Sequence, residues 1–406
     1  MLTPAEAETL ILTAIAPLPG EDCPLTGANG RILRIGVQAD RDLPPFDRVT
    51  LDGYALRAAA LAAGTRRFSV EALQAAGMIA RTLGPDPEAC VEVMTGAVLP
   101  AGADCVVPYE ETTRDGAAVT ISGGAFPAGH AVHRRGSDRL AGAEILAAGC
   151  RLGGCEIAVA AACGRSSLTV AALPRIAVVA TGDELVEIDM PVGPHQVRRS
   201  NDYALRAALI AAGYPAVERF HLRDLRHEIE HRLWHILAEF DAVVLCGGVS
   251  KGKVDHLPAV LEDLGVRKVF HGVAQRPGKP LWFGSSPRRT PVFALPGNPV
   301  SSYVCLHRYV LPALGHASGL TLRPPFPVAL ARAVRLTPAL TTFLPVRLES
   351  GPSAERTAQP AGGNTSGDFA ALVGTDGFVE LPPGPGELPA GQVAPFRAWA
   401  GSSSPM

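Results

Sequence analysis

Residues 174–185 read PRIAVVATGDEL. After Pro174 and Arg175 comes an unbroken apolar run ending in Thr181-Gly182, the pattern of a strand buried on both faces. The segments that follow repeat an alternation. NDYALRAALIAAGY (201–214) predicts a helix capped by Asn201 or Asp202 and ended by Gly213. VERFHL (217–222) and DAVVLCGG (241–248) read as strands, each followed by a helical pattern, DLRHEIEHRLWHILAEF (224–240) and LPAVLEDLG (257–265). TPVFALPG (290–297) predicts one more strand before the helix VSSYVCLHRYVLPAL (300–314). This order predicts a central doubly wound parallel α/β domain over 174–318. Ligands of such sheets sit where strands end in Gly-rich turns. Here those turns are Thr181-Gly182-Asp183-Glu184, Gly247 to Lys253, and Pro296-Gly297-Asn298-Pro299.

The flanks differ in character. A helical spacing of Ala7, Leu10, Ile11 and Ala14 follows the start signal Thr3-Pro4. Mixed short elements then run to about residue 173. They include the strands GADCVVPYEET (102–112) and GAAVTIS (116–122) around Asp115-Gly116, and a helix at CEIAVAAACG (155–164) closed by Gly164. Beyond residue 319, PVALARAVRL, FLPVRLES and GFVELPP, separated by Pro and Gly, predict a small C-terminal β domain of barrel-like type.

Composition sets the class. At about 150 residues per domain, 406 residues suggest two to three domains. The chain is 47% hydrophobic and 19% charged, enough to bury real cores. A net charge of −2 argues against a nucleic-acid binder that works by bulk positive charge. No apolar run reaches membrane-spanning length, and the N-terminus lacks the basic start of a secretory signal. The eight cysteines include no C-x-x-C pair and suit a reducing compartment, so the expected location is the cytoplasm.

Three constellations could carry chemistry. GGVSKGKV (247–254) nearly spells a phosphate-binding P-loop but places Val254 where a magnesium-holding hydroxyl belongs. A Gly-rich turn using Gly247, Gly248, Ser250 and Gly252 still suits a phosphate, with Asp255 nearby for a metal or ribose. RPGKP (276–280) sets Arg276 and Lys279 in a loop stiffened by Pro277 and Pro280 around Gly278, a pairing suited to an oxyanion. Asp183 with Glu184, and Asp224 with Asp255, offer carboxylates for Mg²⁺. His227, His231 and His235 share one helical stripe opposite Ile229, Leu233 and Ile236, so the stripe reads as a solvated face and not a metal site.

Taken in order, LPPFDRVTLDGYA (43–55), VMTGAVLPAGADCVVPYEE (93–111), HRRGSD (133–138), ATGDEL, SNDYAL, GGVSKGKVD, RPGKP and LPGNPVS closely resemble the molybdopterin molybdenumtransferase family. This is the MoeA family, which includes the E domain of gephyrin. The resemblance spans nearly the whole chain. It implies a four-part subunit: a linker and dimerisation region in 1–173 with a mixed part inserted at about 45–140, then the molybdopterin-binding domain and the C-terminal domain of 319–406. It also implies a homodimer whose cleft combines residues of both chains. The implied reaction moves molybdenum from molybdate to the dithiolene of adenylylated molybdopterin, with Mg²⁺ present and AMP released. A molybdopterin adenylyltransferase would supply the substrate and molybdoenzymes would receive the product.

By motif match the catalytic positions are Asp52, Thr95, Glu184, Asp224 and Asp255, with Asp224 and Asp255 directed at the metal. Asp138 and Ser366 join Thr181, Gly182, Asp183 and the turns above as substrate-binding positions. The family commonly has Lys at the positions of Gly272 and Arg276. The loss of charge at Gly272 would weaken the hold on molybdate, and Gly272→Lys would restore it unless the backbone there requires a positive φ. Leu51 stands for a usual Met, an expected packing swap. Two other readings compete: a molybdopterin-binding carrier with weak turnover, and a nucleotide hydrolase built on the α/β domain.

Overall fold

The computed structural model describes residues 1–248, 256–351, 356–362 and 366–401. They fall into two compact units, one of Met1–Arg34, Gly149–Gly153 and Leu168–Met406, the other of Ile35–Ala148 and Gly154–Ser167. Among the described residues no helix is long and apolar enough to cross a membrane.

The first helix, α1 (Pro4–Ala14), starts at a capping box. Thr3 Oγ1 accepts from the Glu6 amide, and Glu6 accepts from the Thr3 amide at 2.7 Å. In the smaller unit six strands form one sheet: β1 (Gly53–Leu56), β2 (Arg67–Gln74), β3 (Ala89–Val93), β4 (Cys105–Pro108), β5 (Thr112–Asp115) and β6 (Ala118–Ile121). Their spatial order is β4-β1-β3-β2-β6-β5. The β5–β6 hairpin turns at Gly116 with φ +58°, as its Asp-Gly pair requires. Helix α2 (Gly154–Ala162) ends before Gly164, which is left-handed at φ +71°.

The larger unit holds the α/β domain: β7 (Ile176–Thr181), α3 (Asn201–Ala211), β8 (Val217–Leu222), α4 (Arg226–Glu239), β9 (Ala242–Cys246), α5 (Leu257–Asp263), β10 (Arg267–His271), β11 (Gln275–Arg276), β12 (Trp282–Ser285), β13 (Pro291–Leu295), α6 (Pro299–Cys305) and α7 (Leu311–Ala317). The sheet order is β8-β7-β9-β13-β12-β10. Strands β8, β7, β9 and β13 are parallel, as the apolar runs predict, but β12 runs antiparallel to both its neighbours, β13 and β10. The sheet is therefore mixed. Alternation along β7 sends Ile176, Val178 and Ala180 to one face, where α1, α3 and α7 pack through Ile11, Leu205 and Leu314. Ala177 and Val179 meet Ile229, Leu233 and Val260 of α4 and α5 on the other. Each fully buried aliphatic side chain contributes about 1.5–3 kcal/mol, so both faces are strongly specified.

Strands β14 (Phe326–Leu330), β15 (Thr341–Ser350), β16 (Arg356–Pro360), β17 (Gly377–Leu381) and β18 (Val393–Ala398) pair in the order β15-β16-β14-β18-β17, and β17 returns to β15. The ring is closed. Strand β11 extends it by pairing Gln275 and Arg276 with Thr341 and Thr342, so the RPGKP segment begins on the barrel.

Buried His307, between α6 and α7, locks the end of the barrel to the helices. Its Nδ1–H donates to the Tyr303 carbonyl at 2.9 Å, and its Nε2 accepts from the Ala400 amide at 2.9 Å. Burial pushes its pKa down from the ordinary 6.5 to about 4. The unfolded chain binds this proton below 6.5 while the folded one refuses it down to about 4, so stability falls as pH drops through that window. The loss should reach about 3 kcal/mol by the bottom of the window. Urea denaturation at neutral and acid pH should show a drop smaller by about that amount in His307→Gln; equal drops would discount the residue.

Candidate active site

The carboxyl ends of β7, β9 and β13 open into a cleft of about 590 Å³. Thr181, Gly182 and Glu184 line it beside Asp224, with Gly247, Gly248 and the Pro296-Gly297-Asn298 turn across from them. Gly247 and Gly248 have φ of +105° and +66°. A Cβ on Gly247 would lie 2.9 Å from Thr181 Oγ1 and 2.8 Å from the Thr181 carbonyl, so the two strand ends approach as closely as only glycine allows. Ser250, Gly252 and Asp255 lie outside the described residues.

A second cavity, of about 620 Å³, adjoins the first and shares Pro280, Pro296 and Asn298 with it. It gathers Arg276, Pro277, Gly278, Lys279 and Ser366. Arg276 and Lys279 are exposed, with neither side chain bonded among the described residues. The loop that carries them rests on Gln275, a fully buried residue that the sequence did not single out. Its Nε2 donates to the Pro277 and Gly278 carbonyls at 3.3 and 3.2 Å, and its Oε1 accepts from the Tyr309 hydroxyl. Gly278, with φ +95°, leaves space that a Cβ would take from Cys305 Sγ at 2.5 Å.

The Pro296–Asn298 turn is held from both sides. Asn201 Nδ2 donates to the Gly297 carbonyl at 2.7 Å, and Asn298 Nδ2 donates to Ser366 Oγ at 2.8 Å. Asn201 and Asp202 do not cap α3 as expected: Ser200 occupies the N-cap without a side-chain bond. Asp202 is instead fully buried and accepts from Arg199 at 2.7 Å and Arg219 at 3.0 Å. Asp183 is not among the cleft-lining residues; it accepts from the Asp224 amide at 3.3 Å and shapes the turn.

Asp52, Thr95 and Asp138 belong to the smaller unit. Asp52 Oδ1 accepts from the Thr95 amide at 2.6 Å and the Thr95 hydroxyl at 2.7 Å. Those two bonds, the amide first, hold the exposed carboxyl below the usual aspartate range. Asp138 accepts from His133 Nε2 at 2.9 Å, and Arg48 donates to His133 Nδ1 at 3.0 Å. Because arginine only donates, the ring's proton sits on Nε2. His227, His231 and His235 are exposed. Leu51 is 46% exposed, so its exchange disturbs little packing.

Position 272 corrects an expectation. Gly272 adopts φ +94° and lines neither cavity. A left-handed lysine there costs roughly 1–2 kcal/mol. Gly272→Lys should therefore lower thermal stability and leave the molybdate requirement unchanged; a lowered requirement in a stable variant would restore the charge argument.

Family models match in chain order: the MoeA N-terminal region (domain I and II) at residues 2–164, a probable molybdopterin binding domain at 177–316, and the MoeA C-terminal region (domain IV) at 327–399. The molybdopterin molybdenumtransferase of Synechocystis sp. is 41% identical over 375 residues, 92% of this chain and 93% of that one. The chain belongs to the molybdopterin molybdenumtransferase family. Another member, from Synechococcus elongatus, is 32% identical across 98% of this chain and 100% of its own. Two structures of the molybdopterin biosynthesis MoeA protein from Pyrococcus horikoshii superpose with TM-scores of 0.81 and 0.83, at 29% and 24% identity. They cover 99% and 98% of this chain and all of theirs, so the fold of this transferase family extends over the whole chain.

Proposed function

We propose that the chain transfers molybdenum from molybdate to the dithiolene sulfurs of adenylylated molybdopterin, with release of AMP. One observation carries the reading beyond family membership: two adjoining cavities share the Pro296–Asn298 turn, one built on glycine-rich strand ends and the other on the exposed cations Arg276 and Lys279. A substrate with a phosphoanhydride at one end and an oxyanion to receive matches that division. Thr181, Gly182, Gly247 and Gly248 bring backbone close to the nucleotide half, and Ser250 and Gly252, outside the described residues, join them as substrate-binding positions in this proposal. Lys279 and Arg276 face the phosphates and molybdate, with Asn298 and Ser366 fixing the turn between them. Asp52, Thr95 and Asp138 complete the site in the reading, within a homodimer whose cleft draws on both copies.

Glu184 and Asp224 fit Mg²⁺ by donor chemistry, since both are carboxylates on one cleft and Mg²⁺ takes one or two of these with substrate phosphates. Among the described residues no three such groups gather to hold an ion by themselves. Glu184, Asp224 and Asp255 would hold the ion, which would supply charge neutralisation at the phosphoanhydride when bound. The same carboxylates accept the proton of the water that adds to phosphorus as AMP leaves. Eight cysteines, none of them in a disulfide and six of them buried, support a reducing cytoplasmic setting. A molybdopterin adenylyltransferase upstream and molybdoenzymes downstream complete the proposed sequence.

Lys279→Ala should weaken binding of adenylylated molybdopterin about tenfold or more, and the remaining affinity should vary less with salt. Isothermal titration at two ionic strengths checks both points. Unchanged affinity would remove Lys279 from the site and with it the cationic half of the reading.

A further inference from the structure

The α/β sheet has a second opening at the end opposite the cleft. There β12 stops at Ser285, β13 begins at Pro291 and β10 begins at Arg267, with Arg267 and Pro291 both in register with Ser285. A cavity of about 330 Å³ lies at these strand ends, lined by Arg267, Arg289, Ser285 and Ser286 and reached by Thr13 of α1. No lining residue is acidic. Neither guanidinium is engaged in a hydrogen bond or ion pair among the described residues.

The hydroxyls beside them are buried. Ser286 Oγ accepts from the Thr290 amide at 3.1 Å, which leaves its own hydrogen free to donate. Ser285 Oγ reaches the Ser286 carbonyl only at 3.5 Å, the limit of a hydrogen bond, so it too has a donor to give. The β12–β13 turn adds an independent sign. Arg289 sits at φ +65°, a conformation in which glycine or asparagine is expected. Three bonds hold it there: Ser286 N to Thr290 O at 3.0 Å, Arg289 N to Ser286 O at 2.8 Å, and the Thr290 amide on Ser286 Oγ. Its neighbour Arg288 is occupied by the Ala238 carbonyl. Two acidic residues line the adjoining small cavity, Glu239 and Asp241, and Asp241 accepts from the Arg175 amide at 2.7 Å.

We propose that this cavity is a second oxyanion site, separate from the substrate cleft, for a phosphate-class dianion. Arg267 and Arg289 present planar forks from two sides, and the two serine hydroxyls complete the donors that a tetrahedral oxyanion requires. The strained turn is what aims the second fork. The phosphate group is either free or the end of a small phosphomonoester.

The test is titration of the full chain at constant ionic strength with inorganic phosphate and, separately, with glycerol 3-phosphate. Arg289→Gly removes the guanidinium from a position that glycine prefers, so it should fold at least as well as the wild type. Arg267→Gln removes the other fork, and Lys279→Ala marks any phosphate bound in the cleft. Saturable binding is expected, weakened at least tenfold in Arg289→Gly and Arg267→Gln but retained in Lys279→Ala. Tighter binding of glycerol 3-phosphate assigns the site to a phosphomonoester, and equal or weaker binding assigns it to free phosphate. Isotherms that are unchanged in both arginine variants, or that respond to Lys279→Ala alone, overturn the proposal, as does a lack of saturation by either ligand.

Discussion

Asp202→Ala is expected to destabilise the larger unit by about 3–5 kcal/mol, because it strands a buried positive charge. The Asp202 side chain is 1% exposed and that of Arg199 6%, so neither can turn to water. Arg199 also pairs with Glu187 at 2.5 Å, but Glu187 is half exposed and replaces little of the lost attraction. Arg219 is better placed, since its guanidinium lies 3.5 Å from the centre of the Tyr203 ring. The penalty therefore falls chiefly on Arg199, which lines the cleft next to Asn201 and its bond to the Gly297 carbonyl. Urea unfolding checks the magnitude, with Asp202→Asn as the variant that keeps shape and loses charge. A loss below about 1 kcal/mol in the alanine variant would mean that Arg199 finds solvent, and the buried network would lose its role.

Gly53→Ala should be nearly as damaging, for a reason that involves no charge. Gly53 lies in the middle of three strands, opposite Val93 of β3 and Pro108 of β4. A methyl group there would come within 2.0 Å of the Val107 carbonyl and 2.8 Å of Pro108 Cα, and both obstacles are backbone. Strand β4 would have to part from β1, a cost at or above the upper end of the roughly 1–3 kcal/mol typical of overpacking. The adjacent Asp52 would move with the strand and loosen its bonds to Thr95. Hydrogen exchange at the β1 and β4 amides should rise sharply against other strands. Wild-type protection in both strands would contradict the close approach.

The parallel strands were legible because burial on both faces writes an unbroken apolar run, as in Ile176–Thr181. Strands β10 and β12 were not. RKVFH carries two exposed cations and one buried side chain, and WFGS stands one residue after the RPGKP loop, so neither has a clear period. The turns around the cleft announced themselves through glycine and proline, since backbone geometry demands those residues locally. Gln275, Asn201 and Asp202 did not, because what they do depends on partners remote in sequence. Tyr309 lies 34 residues from Gln275, Gly297 lies 96 from Asn201, and Arg219 lies 17 from Asp202. An Asn-Asp pair at a helix start reads locally as a cap, and only the fold turns it into a brace and a buried counter-ion. Gly272 is the converse case: a missing lysine looked like lost affinity, whereas the left-handed backbone explains why glycine stands there.

The central claim, molybdenum transfer coupled to AMP release, is tested most directly by incubating the purified chain with adenylylated molybdopterin and molybdate, with Mg²⁺ or with a chelator. AMP and molybdenum-loaded cofactor should appear together and in equal amounts, and both should depend on molybdate and on Mg²⁺. AMP released at the same rate without molybdate, or substrate bound tightly with no AMP formed, would contradict the account in favour of a hydrolase or a carrier.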